Sequence, residues 1–104
     1  MESYAAGETT PELLEETIGA NFERTVERWP DREALVEVAS GRRWTWAELD
    51  ARVDRLAAAL RARGIGKGDR VLVHSRNSNA MFESQWACFK IGAVWVPTNF
   101  RLTP

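Results

Sequence analysis

A single cysteine and a single histidine stand among the 104 residues. Cys88 alone excludes an internal disulfide framework, and with only His74 to join it a structural zinc site is excluded as well. A strong excess of charge of either sign is also missing. Fourteen Lys and Arg against fifteen Asp and Glu leave a formal net charge of −1, so nothing electrostatic favours nucleic acid or an anionic membrane as partner. Long hydrophobic runs are absent: the longest nearly apolar run, residues 91–97, is far short of the ~20 residues needed to span a bilayer. Residues 1–10 carry Glu2 and Glu8 and no basic residue, and hold no signal-peptide core. The expected setting is a reducing cytoplasm. There is no internal repeat, and a chain this short supports one hydrophobic core rather than two.

What is present is an ordinary globular balance, 44% hydrophobic and 28% charged, with five tryptophans. Residues 1–16 read as a tail followed by a helix start, Thr10-Pro11-Glu12 supplying a hydroxyl cap, a proline at the first helical position and an acid in the first turn. Thr17 offers a second cap. Ile18, Phe22 and Val26 then recur every four residues, predicting an amphipathic helix that ends at Trp29-Pro30, with Gly19 weakening its first turn. Residues 34–38 predict a strand with Leu35, Val36 and Val38 as its apolar members. Ser40-Gly41 turns it, and residues 42–45 return as the second arm of a β-hairpin. Thr45-Trp46-Ala47-Glu48 is a capping box, with Trp44 and Leu49 at the staple positions. Leu49, Val53, Leu56 and Leu60 line one face of the helix that follows, which Gly64 ends in a left-handed conformation.

Val71-Leu72-Val73 and Val94-Trp95-Val96 are continuous apolar runs, predicting strands buried on both faces of a parallel sheet. Between them, residues 79–91 predict a helix capped by Asn77 or Ser78 and ended by Gly92. It is apolar on several sides and so expected to be sandwiched. Strand 70–74, helix 79–91 and strand 94–97 make a right-handed βαβ unit. The fold class is therefore α/β, a β-hairpin plus helices and one βαβ unit. Such a sheet needs more covering layers than these helices supply. Thr103-Pro104 also repeats the helix-start pattern at the last residue, so residues 17–104 are expected to be the incomplete opening of a larger domain. Its uncovered apolar faces would favour self-association.

Candidate chemistry is sparse. Gly64-Ile65-Gly66-Lys67-Gly68-Asp69 looks like a phosphate loop, but it follows a helix and precedes a strand, at the negative end of the helix dipole, and lacks the spacing of a phosphate-binding motif. A helix C-cap and a tight loop is the plainer reading. His74, Ser75 and Arg76 fall at the carboxyl end of a predicted strand, where open α/β sheets place ligands, yet a histidine beside a serine makes no triad. Thr98, Asn99 and Arg101 follow the last strand and either line a crevice or form a polar turn. Cys88, inside an apolar helix, is expected to be a packed, inert thiol. Glu12, Glu15 and Glu16 read as a solvated helix start.

Four segments carry a resemblance. They are Trp29-Pro30-Asp31-Arg32-Glu33-Ala34-Leu35-Val36, Trp44-Thr45-Trp46-Ala47-Glu48-Leu49, Gly64-Ile65-Gly66-Lys67-Gly68-Asp69-Arg70-Val71, and the stretch from Gly92 to Pro104 with Val96-Pro97-Thr98-Asn99 at its centre. In this order they resemble the N-terminus of the adenylate-forming (AMP-binding) synthetases, and the string after Asn99 is most similar to the fatty-acyl-CoA synthetase branch. The resemblance covers about residues 17–104. It implies a two-step ligase: a carboxylate, fatty in that branch, attacks ATP with Mg²⁺ helping, and coenzyme A then displaces AMP. The family's phosphate loop, adenine- and ribose-binding segments and C-terminal lysine would all lie beyond Pro104. No catalytic, cofactor-binding or metal-binding residue is carried over, and the chain alone is expected to be inactive, with the remainder of the synthetase domain as its partner. Two alternatives stand beside this reading: a stand-alone, non-catalytic interaction module derived from the same fold, and an unrelated small α/β nucleotide binder.

Overall fold

Thr17 caps the first helix, its hydroxyl accepting from the Ala20 amide at 3.1 Å. In the computed structural model, which describes Gly7, residues 14–99 and Arg101, this helix, α1, runs over Ile18–Arg28. The helix starts predicted at Thr10-Pro11 and Thr103-Pro104 lie outside the described residues, as does Glu12. Phe22 is buried and Val26 half-buried, as the four-residue spacing predicts, but Ile18 is 54% exposed. Gly19 is buried in its place. A β-carbon there would sit 3.4 Å from the Phe89 carbonyl oxygen, so the contact of the two helices at this point has room for a methyl and no more.

The hairpin follows as β1 (Glu33–Glu37) and β2 (Arg42–Thr45), antiparallel, with Leu35 opposite Trp44 and an irregularity between Glu33 and Leu35. The first strand stops one residue short of the prediction, leaving Val38 89% exposed. The turn itself ends it: the Gly41 amide donates to the Glu37 carbonyl at 2.8 Å, and the Ser40 hydroxyl both donates to the Glu37 carboxylate and accepts from the Arg42 amide.

The capping box forms as read, Thr45 accepting from the Glu48 amide at 3.1 Å and the Glu48 carboxylate accepting from the Thr45 amide at 3.3 Å. It opens α2 (Trp46–Ala62), whose first amides also donate backward, Trp46 to the Arg32 carbonyl and Ala47 to that of Pro30. The orphan donors of the helix start thereby bind the hairpin to α2. Gly64, at φ +84°, lies just past the helix end.

After β3 (Arg70–His74) the chain enters α3 (Asn79–Ile91), capped by Ser78 and ended by Gly92 at φ +75°, and returns as β4 (Val94–Thr98), parallel to β3 and beside it. Phe22 of α1, Leu49, Val53 and Ala57 of α2, and Ala87, Cys88 and Ile91 of α3 form the core. The helix predicted to be sandwiched is sandwiched, between α1 and α2 on one side and the strand pair on the other.

Burial on both faces of the strands is corrected. Along β3 exposure alternates, with Val71 and Val73 half-buried and Arg70, Leu72 and His74 exposed. Leu72 is 67% and Val94 48% exposed. The helix α3 covers one face of the pair, and no described element covers the other.

Candidate functional site at the strand ends

The two ends of the β3–β4 pair differ in what their polar groups are doing. At the amino end, the glycine-rich loop is closed upon itself. The Gly64 and Ile65 amides donate to the Arg61 and Leu60 carbonyls, the Gly66 amide to the Asp69 carboxylate at 2.8 Å, the Gly68 amide to the Gly92 carbonyl at 3.0 Å and the Asp69 amide to the Gly66 carbonyl. Lys67 packs its stem against Gly92. A phosphate cradle needs several amides pointing at one anion; here five are already committed to the protein. The segment is a C-cap and tight connection, the plainer of its two readings.

At the carboxyl end, cross-strand register sets His74 opposite Thr98. His74 Nδ1 lies 2.6 Å from the Thr98 hydroxyl, which lies 3.3 Å from the Val73 carbonyl. The contact ties the end of β3 to the end of β4 through two side chains and one carbonyl. Ser75 does not join His74; its hydroxyl donates to the Arg76 carbonyl at 2.9 Å. Asn99 accepts the Arg101 amide on its side-chain oxygen at 3.0 Å. Beside the strand end, Ser78 caps α3 by accepting from the Met81 amide. A cavity of about 190 Å³ lies there, lined by Asn77, Ser78, Met81, Phe82, Gln85 and Trp95. The Trp95 indole is held as its wall by donating to the Ser84 hydroxyl at 3.0 Å.

Two buried charges were not visible as such in the sequence. Glu83, 6% exposed, accepts from Arg52 of α2 and from Asn79. The hydrogen bond that Arg52 donates to Glu83, together with the charge of Glu83, holds the guanidinium above the ordinary arginine value, against a smaller opposing effect of burial. Lys90, its side chain 8% exposed, pairs with Asp50 at 2.5 Å, Asp54 at 2.7 Å and Glu23 at 3.6 Å. Burial pulls its pKa down, but the two aspartates outweigh burial and leave it above the usual lysine value. The signal was in the spacing: Glu83, Ala87 and Ile91 share one helix face, and a charge on an apolar face is a charge that needs a partner. These pairs tie α1, α2 and α3 together and do not converge on a cavity with His74. Cys88 is fully buried, and burial pushes its thiol up, away from the reactive thiolate. Among the described residues no group of three or more His, Cys, Asp or Glu is placed to hold a metal ion, and no helix is long and apolar enough to cross a membrane.

Comparison with known proteins gives this geometry its context. The sequence profile of the AMP-binding enzymes matches residues 22–104. The chain is 39% identical over 97 residues to the medium-chain acyl-CoA ligase ACSF2 of Macaca fascicularis, 93% of this chain and 16% of that one. It is 45% identical over 80 residues to a feruloyl-CoA synthase of Amycolatopsis, 71% of this chain and again 16% of the other. Its fold superposes on the N-terminal domain of FACL13 from Mycobacterium tuberculosis, crystallised with an inhibitor, with a TM-score of 0.79 and 37% identity over 83% of this chain and 22% of that domain. The chain thus spans about one sixth of the length of the curated relatives it matches.

Proposed function

Because this chain belongs to the AMP-binding enzyme family, we propose that it works as the opening part of the large domain of an acyl-CoA synthetase. In the whole enzyme a carboxylate attacks the α-phosphate of ATP, releasing pyrophosphate and leaving an acyl-adenylate. The coenzyme A thiolate then attacks the acyl carbon and AMP departs. The match over residues 22–104 carries this reading. A framework role for this part is supported by its glycine-rich loop, whose amides are committed to the protein's own carbonyls and carboxylate. This part therefore supplies framework, and the reacting groups come from the remaining polypeptide. The substrate class is a carboxylic acid, fatty by the string after Asn99. The setting is a reducing cytoplasm, supported by a single, buried, unpaired cysteine.

The test is reconstitution. The 104-residue chain is co-expressed with the following polypeptide of a related acyl-CoA ligase, and acid-dependent ATP–pyrophosphate exchange is measured. Exchange by the pair and by neither half alone is expected, with a flat calorimetric titration of the chain alone with Mg-ATP. Halves that associate without exchange would favour the alternative, a non-catalytic interaction module. A chain that binds Mg-ATP alone with micromolar affinity would overturn the framework role.

A further inference from the structure

The cavity beside Trp95 is apolar on one part of its lining and polar on another. Met81 and Phe82 of α3 and Trp95 of β4 supply the apolar part, and all three are half-buried. Both aromatic rings are held in place. The Trp95 indole donates to the Ser84 hydroxyl at 3.0 Å, and that hydroxyl donates in turn to the Met81 carbonyl at 2.6 Å. Phe82 stands edge-on to Trp86, with ring centroids 6.0 Å apart and planes at 68°. A ligand therefore meets surfaces already in position, and little ordering of the protein opposes its entry.

The polar part of the lining is Asn77, Ser78 and Gln85. The Ser78 hydroxyl accepts from the Met81 amide and keeps its own proton to give. The side-chain amides of Asn77 and Gln85 make no bond to another described residue, so each offers a donor and an acceptor. Among the described residues no acidic or basic side chain lines the cavity. An ionised ligand would lose hydration there without gaining a counter-charge. Size narrows the choice further: the volume is about 190 Å³, and an apolar cavity of about 150 Å³ already holds benzene. The rings of Trp95 and Phe82 favour an aromatic guest through offset and edge contacts, and the Met81 sulfur adds a polarisable one.

We propose that this cavity binds a neutral, monocyclic aromatic compound carrying one hydroxyl or carboxamide group, its ring against Trp95 and Phe82 and its polar group at Gln85 and Asn77. Such a ligand is distinct from the carboxylate that a synthetase activates, which bears a charge that the cavity does not meet. The site adds a binding function to a part whose proposed role is framework, and it stands or falls independently of that role.

Titration of the isotope-labelled chain with benzamide, followed through its indole and backbone N–H resonances, tests the site. The Trp95 indole and the Phe82 and Gln85 amides should shift saturably, with a dissociation constant of about 1 mM or tighter, while the Trp29 and Trp44 indoles stay in place. Phenol should move the same resonances. Cyclohexanecarboxamide, which keeps the outline and loses the aromatic ring, should bind at least about fivefold more weakly, and benzoate at least about tenfold more weakly. Gln85→Leu keeps the bulk and removes the amide, so it should weaken benzamide by at least about fivefold and leave toluene no weaker. No saturation at Trp95, or equal shifts at all five tryptophan indoles, overturns the site. Cyclohexanecarboxamide binding as well as benzamide overturns the aromatic class, and benzoate binding as tightly as benzamide overturns the neutral one. Equal affinity of the parent chain and Gln85→Leu for benzamide overturns the assigned polar contact. Each of these failures leaves the synthetase reading standing, since that reading is decided by pyrophosphate exchange.

Discussion

The helical layer and the strand pair use the same kind of residue to different ends. In the helices, Leu49 and Val53 are fully buried, and two charges on α3 are each met by partners from a neighbouring helix. In the strands, Leu72 and Val94 lie on a face that nothing described covers. The helices are a finished piece of core. The strands bury one face and leave the other bare among the described residues, and the difference shows which part of this chain contributes most to its own stability.

Two leucines test that contrast most directly. Leu49→Ala removes a side chain at 0% exposure and should cost about 3 kcal/mol through lost burial and the cavity left behind. Leu72→Ala makes the same chemical change at 67% exposure and should move the urea midpoint by no more than about 0.5 kcal/mol. Equal losses at the two sites would mean that the strand face is covered in solution. The next effect in size is the buried ammonium. Lys90→Met leaves Asp50 without its cation and should cost roughly 2 kcal/mol at neutral pH. Because the pKa of Lys90 is raised in the fold, its contribution is fully present below the unfolded lysine value of about 10.4. It is lost as pH climbs through the higher folded value. Urea midpoints of the parent chain should therefore fall above about pH 10, and those of Lys90→Met should fall less over the same range. Parallel curves would remove Lys90 from the account. Smaller again is Thr45→Ala, which deletes the hydroxyl of the capping box and should cost about 1 kcal/mol, read as a lower urea midpoint with unchanged slope.

How legible each element was follows from how local its cause is. The box at Thr45 and Glu48 and the left-handed Gly64 and Gly92 are set by a few neighbouring residues, and all form where the sequence places them. Val38 was misplaced because the hydrogen bonds of the turn at Ser40 and Gly41 compete with an apolar alternation that runs one residue too far. Leu72 and Val94 read as doubly buried because their pattern answers to a layer that no described residue supplies. Glu83 and Lys90 were hidden for a different reason. Their α2 partners stand 31 to 40 residues away; spacing places a charge on an apolar face but does not say which residue of another helix meets it. Of the strand-end residues, the sequence located His74 and Thr98 separately, but only the parallel register brings them within 2.6 Å.

The smallest expected effect lies at the contact of α1 with α3, and its sign is what informs. Glycine in a helix costs more backbone entropy than alanine does, and Gly19 stands in the first turn of α1 with no left-handed φ to demand it. An added β-carbon would meet the Phe89 carbonyl oxygen at 3.4 Å and the Lys90 α-carbon at 3.5 Å, ordinary contact distances. One methyl fits; anything larger reaches into the α3 backbone. Gly19→Ala should therefore stabilise the chain by about 0.5 kcal/mol, and Gly19→Val should destabilise it by prising α1 away from Phe89. Thermal melts of the two variants beside the parent separate the cases. A loss on Gly19→Ala would mean that the helices approach more closely than these distances allow. A gain on Gly19→Val would mean that α1 does not rest on α3 at this point, and the finished character of the helical layer would then end at α2.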